Sequence, residues 1–116
     1  MVLRGVRGAT TVKHNTREEI LSAAKELLTA MVKANQINIA DIASIIFTVT
    51  PDLDAVFPAE AAREIGWNDT PLLCAIEIPV PSALPNCIRL LMHINTDKNQ
   101  NEIKHIYLHA AVNLRR

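Results

Sequence analysis

Leu72-Leu73-Cys74-Ala75-Ile76-Glu77-Ile78 and Cys87-Ile88-Arg89-Leu90-Leu91-Met92-His93-Ile94 decide how this chain is read. Both arms are short, apolar and bounded by turn formers, the pattern of buried strands. A connection carrying Pro79, Pro81 and Pro85 joins them. Each arm nevertheless holds one full charge, Glu77 in the first and Arg89 in the second. The arms are expected to pair as a hairpin centred near Ala83, with Glu77 opposite Ile88 or Arg89. An isolated buried charge is costly, so each needs a partner or a ligand. Two readings stand at this point: a structural Glu–Arg pair on a sheet face, or a binding site.

The chain has 116 residues, 49% of them hydrophobic, which is enough for one domain with a sizeable core. Its 12 basic and 12 acidic residues cancel. No basic run exists to hold a phosphate backbone, which argues against a nucleic-acid partner. No apolar segment approaches the roughly 18 residues of a membrane span, and the N-terminus has no apolar signal core. Cys74 and Cys87 lack metal spacing, and in the expected hairpin Cys74 faces Leu91, which disfavours a disulfide. Free thiols and a cytoplasmic location follow as expectations.

In chain order, Val2–Ala9 opens as a strand with Val2, Arg4 and Val6 on one face and Leu3, Gly5 and Arg7 on the other. Glycines flanking Arg7 weaken a strand unless something approaches its backbone closely. Arg4 is expected to be solvated. Thr16-Arg17-Glu18-Glu19 is a capping box, and Ile20, Ala24, Leu27, Leu28, Met31 and Val32 follow at helical spacing. The helix is predicted from about Arg17 to Ala34. A short helical turn at Ile39–Ile42 feeds a strand over Ala43–Val49. A second helix begins with Pro58 at its first position and is closed by Gly66. The last strand is predicted over His105–His109. The sum is an α+β domain, a mixed five-stranded sheet with two helices on one face. The other face stays apolar and uncovered, so self-association is expected.

The polar groups on otherwise apolar strands are Arg7, Glu77, Arg89, His93 and Tyr107, joined by Cys74. A Gly-rich phosphate loop, a His-x-x-His pair and a Ser/His/Asp order are all missing from the sequence. His14, His93, His105 and His109 are scattered, and Cys74 has no histidine beside it in sequence. Arginines with a tyrosine do suit one task, which is to hold a small dicarboxylate by forked hydrogen bonds.

Several blocks together carry a specific resemblance: Arg4-Gly5-Val6-Arg7-Gly8-Ala9-Thr10-Thr11, Thr50-Pro51-Asp52-Leu53, Ala55-Val56-Phe57-Pro58-Ala59, Cys87-Ile88-Arg89 and His105-Ile106-Tyr107-Leu108. In that order, from Met1 to Arg115, the chain resembles the monofunctional bacterial chorismate mutases of the AroH class. The resemblance implies a homotrimer with a barrel-like core and active sites between subunits. It implies rearrangement of chorismate to prephenate in aromatic amino-acid biosynthesis, without a cofactor. Arg7 then grips a substrate carboxylate, Arg89 sits beside the ether oxygen of the breaking bond, and Glu77 lies near the ring hydroxyl. Leu73 and Cys74 line the pocket, and Tyr107 contacts a carboxylate. Phe57, Ala59 and Arg63 close the site from a neighbouring subunit, and Arg115 adds a basic group near the end of the chain. Relatives carry a tail past this point, so either closure is weaker here or the sequence is a shortened one. Glu60, where some relatives have lysine, is expected to point away from the site.

A concerted rearrangement needs no base, nucleophile or metal. It needs the substrate folded into a compact shape, which is an orientation problem. It also benefits from a fixed charge at the oxygen where negative charge gathers. Strict alternation puts Cys74 and Glu77 on opposite faces, so either a bulge intervenes or Cys74 acts through its amide. Two alternatives remain. One is a trimeric imine deaminase, which would leave Arg7 and Glu77 without a role. The other is a non-catalytic carboxylate-binding oligomeric module, which would not need Glu77, Arg89 and Tyr107 in one cleft.

Overall fold

Thr16 opens the long helix α1 (Arg17–Asn35), its Oγ1 accepting from the Glu19 amide at 3.2 Å, in the computed structural model, which describes residues 1–114. Only half of the expected capping box forms. The Glu19 carboxylate accepts instead from the Lys13 and His14 amides, at 3.2 and 3.1 Å, and meets the His14 ring at 2.7 Å. It therefore ties down the incoming loop. Hydrogen bonding from His14 is the main reason its pKa lies below the ordinary glutamate value. Ile20, Ala24, Leu27, Leu28 and Met31, all on one side of α1, are fully buried.

Five strands form one mixed sheet in the order β3-β2-β4-β1-β5. They are β1 (Val2–Thr11), β2 (Ile42–Val49), β3 (Leu72–Ile76), β4 (Cys87–Thr96) and β5 (Ile106–Tyr107). β4 runs antiparallel to both β1 and β2, whereas β3 pairs with β2 and β5 with β1 in parallel. The short helix α2 (Glu60–Glu64) lies between β2 and β3 in sequence and buries Ala61 and Ala62 in the same core as α1. The α+β reading with two helices on one face holds.

The predicted hairpin does not form. β2 separates the two charged arms, and Cys74 lies opposite Phe47, not Leu91. The connections give the reason. A parallel pair needs a long crossover, and residues 50–71 with α2 provide one. Residues 77–86 contain Pro79, Pro81 and Pro85, which have no amide to donate and cannot extend a ladder. β3 is also shorter than predicted, ending at Ile76, although the Glu77 amide still donates to Val49 O at 2.9 Å. Its register with β2 is continuous, so no bulge turns Cys74 toward Glu77.

Alternation sorts the rest. Val6, Ile45, Phe47, Ile88, Leu90 and Met92 point to the helices and are buried. Gly8 shares that face, and a Cβ there would stand 2.4 Å from Met31 Sδ and 3.1 Å from Leu27 Cδ1. The close approach expected near the glycines is thus α1 itself. On the opposite face Leu3, Leu73 and Leu91 remain 56%, 62% and 37% exposed.

The predicted strand His105–His109 shrinks to two residues because its ends do other work. His105 Nδ1 accepts from the Arg7 amide at 3.0 Å, and His109 takes a left-handed φ of 53° that turns the chain into a 3₁₀ segment, His109–Asn113. That segment brings Ala111 onto Ala9 and Cys87. Below β5, Gln100 plays the part of a strand residue: Gly5 N donates to its Oε1 at 3.0 Å and its Nε2 donates to Gly5 O at 2.8 Å. Arg4 is half-buried, not simply solvated, and its Nε donates to Lys98 O at 3.0 Å. α2 proper starts two residues later than predicted, with Ala59 at its N-cap, and Gly66 closes it at φ 88°. Among the described residues, no helix is long and apolar enough to cross a membrane.

Candidate active site

Four of the predicted residues meet on the face away from the helices. Arg7 comes from β1 and Arg89 from β4, one diagonal step apart, since Arg7 pairs with Leu91 and Ala9 with Arg89. Tyr107 arrives on β5, in register with Ala9. Glu77 follows the end of β3, its backbone pinned to β2 by the bond to Val49 O. Together they line a cavity of about 330 Å³, whose walls also include Ile46, Thr48, Leu91 and Leu114. Two guanidinium groups against one carboxylate make this pocket a site for an anion.

Glu77 is held at both oxygens. Thr48 Oγ1 donates to Oε2. Oε1 faces Arg89 Nε at 3.6 Å, with the two side chains 21% and 44% exposed. That separation is an ion pair but longer than a hydrogen bond. Arg89 Nε is itself buried and has no hydrogen-bond partner among the described residues. Buried donors are nearly always satisfied, so an exception inside a cavity marks a place where a ligand oxygen fits. Beside it Cys87 is fully buried, and burial pushes its thiol pKa up against the partial opposing pull of the Arg89 charge. Cys87 and Cys74 are both free thiols.

The remaining predicted residues lie elsewhere in the single chain. Phe57 and Cys74 line a different cavity of about 490 Å³, with Val49, Leu53, Pro58 and Ile76. The Cys74 side chain packs toward the main core, on the face opposite Glu77. Leu73 stands exposed on the outer face of β3, and Phe57 is 72% exposed. The Ala59 side chain is buried in the core, and Arg63 is exposed on α2. Glu60 turns to α1, where Arg17 Nη1 and Nη2 fork onto it at 3.0 and 2.8 Å. Arg115 lies outside the described residues. A larger groove of about 670 Å³, between α1 and the Leu84–Asn86 turn, contains none of the predicted residues.

Sequence reasoning missed Ile46, Thr48, Leu91 and Leu114. Ile46 and Thr48 alternate onto the same face of β2, but only the strand order places that face under Arg89.

The comparisons identify the family. Residues 3–116 match the family model for chorismate mutase type I. Chorismate mutase AroH of Thermus thermophilus is 51% identical over 98% of this chain and 94% of its own length. Chorismate mutase AroH of Bacillus subtilis is 45% identical over 99% and 91%. A solved chorismate mutase from Clostridium thermocellum superposes with a TM-score of 0.91 at 54% identity, covering 92% of this chain and 96% of that one. Over nearly its whole length, then, the chain belongs to the type I chorismate mutase family, and it is an isomerase of that kind.

Proposed function

We propose that the rearrangement of chorismate to prephenate takes place in the cavity between Arg7, Glu77, Arg89 and Tyr107. The observation that carries this reading is the buried Nε of Arg89, without a hydrogen-bond partner among the described residues and 3.6 Å from Glu77. The substrate is a dianion, and Arg7 with Tyr107 takes a carboxylate at one end of the pocket. Arg89 meets the ether oxygen. In the concerted step the C–O bond breaks as the new C–C bond forms, and no proton moves to or from the protein. Negative charge gathers on that oxygen before the C–C bond is complete. A guanidinium already in place stabilises the charge more in the transition state than in the ground state. Glu77 accepts from the ring hydroxyl and balances charge developing on the ring. Apolar walls from Ile46, Leu91 and Leu114 favour the compact conformer over the extended one.

The functional unit in this reading is a homotrimer with a barrel-like core and sites between subunits. Support comes from the uncovered outer face with Leu3, Leu73 and Leu91, an apolar surface of the kind that marks an interface. Phe57, Cys74 and Arg63 do not line the cavity within one chain, nor does Leu73, which pairs with Ile46 beside it, and a neighbouring subunit supplies them. Cys74 then contributes through its backbone, because its thiol points to the core. The two free thiols fit a reducing, cytoplasmic setting.

Loss of chorismate absorbance on adding protein tests the activity, and light scattering tests the assembly. Mixing Arg7→Ala and Arg63→Ala chains tests the sharing of sites. Mixed trimers regain some intact clefts if the two residues come from different subunits. A monomer mass at micromolar concentration, or mixtures no more active than either parent, would refute the shared site.

A further inference from the structure

Glu77 and Arg89 come from segments that do not adjoin, since β2 lies between β3 and β4. Thr48 spans the gap. It pairs with Arg89 on one side and Ala75 on the other, and its hydroxyl donates to Glu77 Oε2. We propose that Thr48 is a positioning residue for the rearrangement. It takes one oxygen of Glu77, holds the carboxylate back from a closed fork with Arg89, and so keeps the guanidinium open to the substrate. The inference rests on the reading of Glu77 and Arg89 as one site.

The geometry carries it. A carboxylate free to turn beside a guanidinium closes into two short parallel bonds, which are about twice as strong as neutral ones. Here the approach stops at 3.6 Å, and the buried Nε is left without a partner among the described residues. The backbone of Glu77 is already fixed at Val49 O, so its remaining freedom is in side-chain torsions. Thr48 takes up that freedom. Its β-branched side chain is stiff at χ1, and a hydroxyl has a single proton to give, here spent on Glu77. Without it, Glu77 collapses onto Arg89 and neutralises the charge that the breaking bond requires. Arg7 and Tyr107 still bind the carboxylate, so the loss appears in kcat and spares KM.

The test compares steady-state kinetics on chorismate for Thr48→Val, Thr48→Ser, Glu77→Gln and the double variant Thr48→Val/Glu77→Gln. Thr48→Val is expected to lose about tenfold in kcat, less than the roughly 10²–10³-fold for a donor that itself touches the developing charge, with KM within about twofold and Tm near wild type. Thr48→Ser keeps the hydroxyl and retains most of kcat. The double variant is no worse than Glu77→Gln alone, because an amide cannot close an ionic fork. Thr48→Ala is the second hydroxyl-free variant if valine perturbs folding. Wild-type kcat in both hydroxyl-free variants, additive losses in the double variant, or a loss that serine does not restore would overturn the role of Thr48. Wild-type kcat in Glu77→Gln would instead remove the site reading beneath it.

Discussion

Arg89→Ala separates two accounts of the same ion pair by their magnitudes. If the pair is structural, its worth follows from its geometry: 3.6 Å apart, with side chains 44% and 21% exposed. Pairs of that exposure contribute about 0.2–1 kcal/mol. A loss of about 1 kcal/mol lowers Tm by roughly 3–6 °C in a chain of this size, and activity falls only as far as folding does. If the guanidinium meets charge that exists only in the transition state, the cost falls on kcat. One preorganised donor is worth about 2.7–4 kcal/mol, or roughly 10²–10³-fold, and a full charge more. The two magnitudes do not overlap. The assay is the initial rate of chorismate loss across substrate concentration, with calorimetry and light scattering on the same samples. Arg89→Lys keeps the charge but has neither the fork nor the reach, so it restores kcat only in part. A folded, normally assembled Arg89→Ala protein with wild-type kcat would end the electrostatic account, as would a kcat loss that merely tracks Tm.

Gly8→Ala drives a methyl to within 2.4 Å of Met31 Sδ in the core, and should lower stability by about 1–3 kcal/mol by denaturant titration. Thr10 is fully buried on the helix side and its hydroxyl has no partner among the described residues. Thr10→Val should therefore leave Tm unchanged or raise it, and a clear fall would show that the hydroxyl is satisfied after all. Glu60 has a pKa below the ordinary glutamate value, chiefly because Arg17 hydrogen-bonds its charged form. The stabilisation from that bridge is fully present above the ordinary value and is lost as pH falls through the lowered one. Arg17→Met should accordingly melt below wild type at neutral pH and converge with it in acid. A gap that stays constant with pH would contradict the linkage.

Much of the fold was legible because its signals are local. The stripe from Ile20 to Met31 could only be a helix packed on one side, and Thr16 marked its start. The charges in the apolar arms do meet in one cavity, yet not through the expected pairing. Leu72–Ile76 is apolar almost throughout, and a run without alternation carries no record of its neighbour or its direction. Its true neighbour depended on a crossover through α2, a non-local fact. Thr48 escaped notice for a related reason. A threonine in a strand reads as a β-former, and only the strand order turns it into a contact with Glu77. Phe57, Cys74 and Arg63 enter the reading only through the resemblance, and within the single chain they do not line the cavity.

The side chains of Gln100 and His105 have a consequence for symmetry. By occupying the free backbone groups of Gly5 and Arg7, they close the β1 side of the sheet to strand addition beyond the two residues of β5. At the other end of the sheet the five residues of β3 form the longer outer edge. Pairing that edge with its own copy is a two-fold contact that stops at two chains. Head-to-tail pairing has only the two residues of β5 to add to. A ring of three is therefore better served by laying faces and loops against one another than by joining sheet edges, and the outer face carrying Arg7 and Arg89 is a face of that kind.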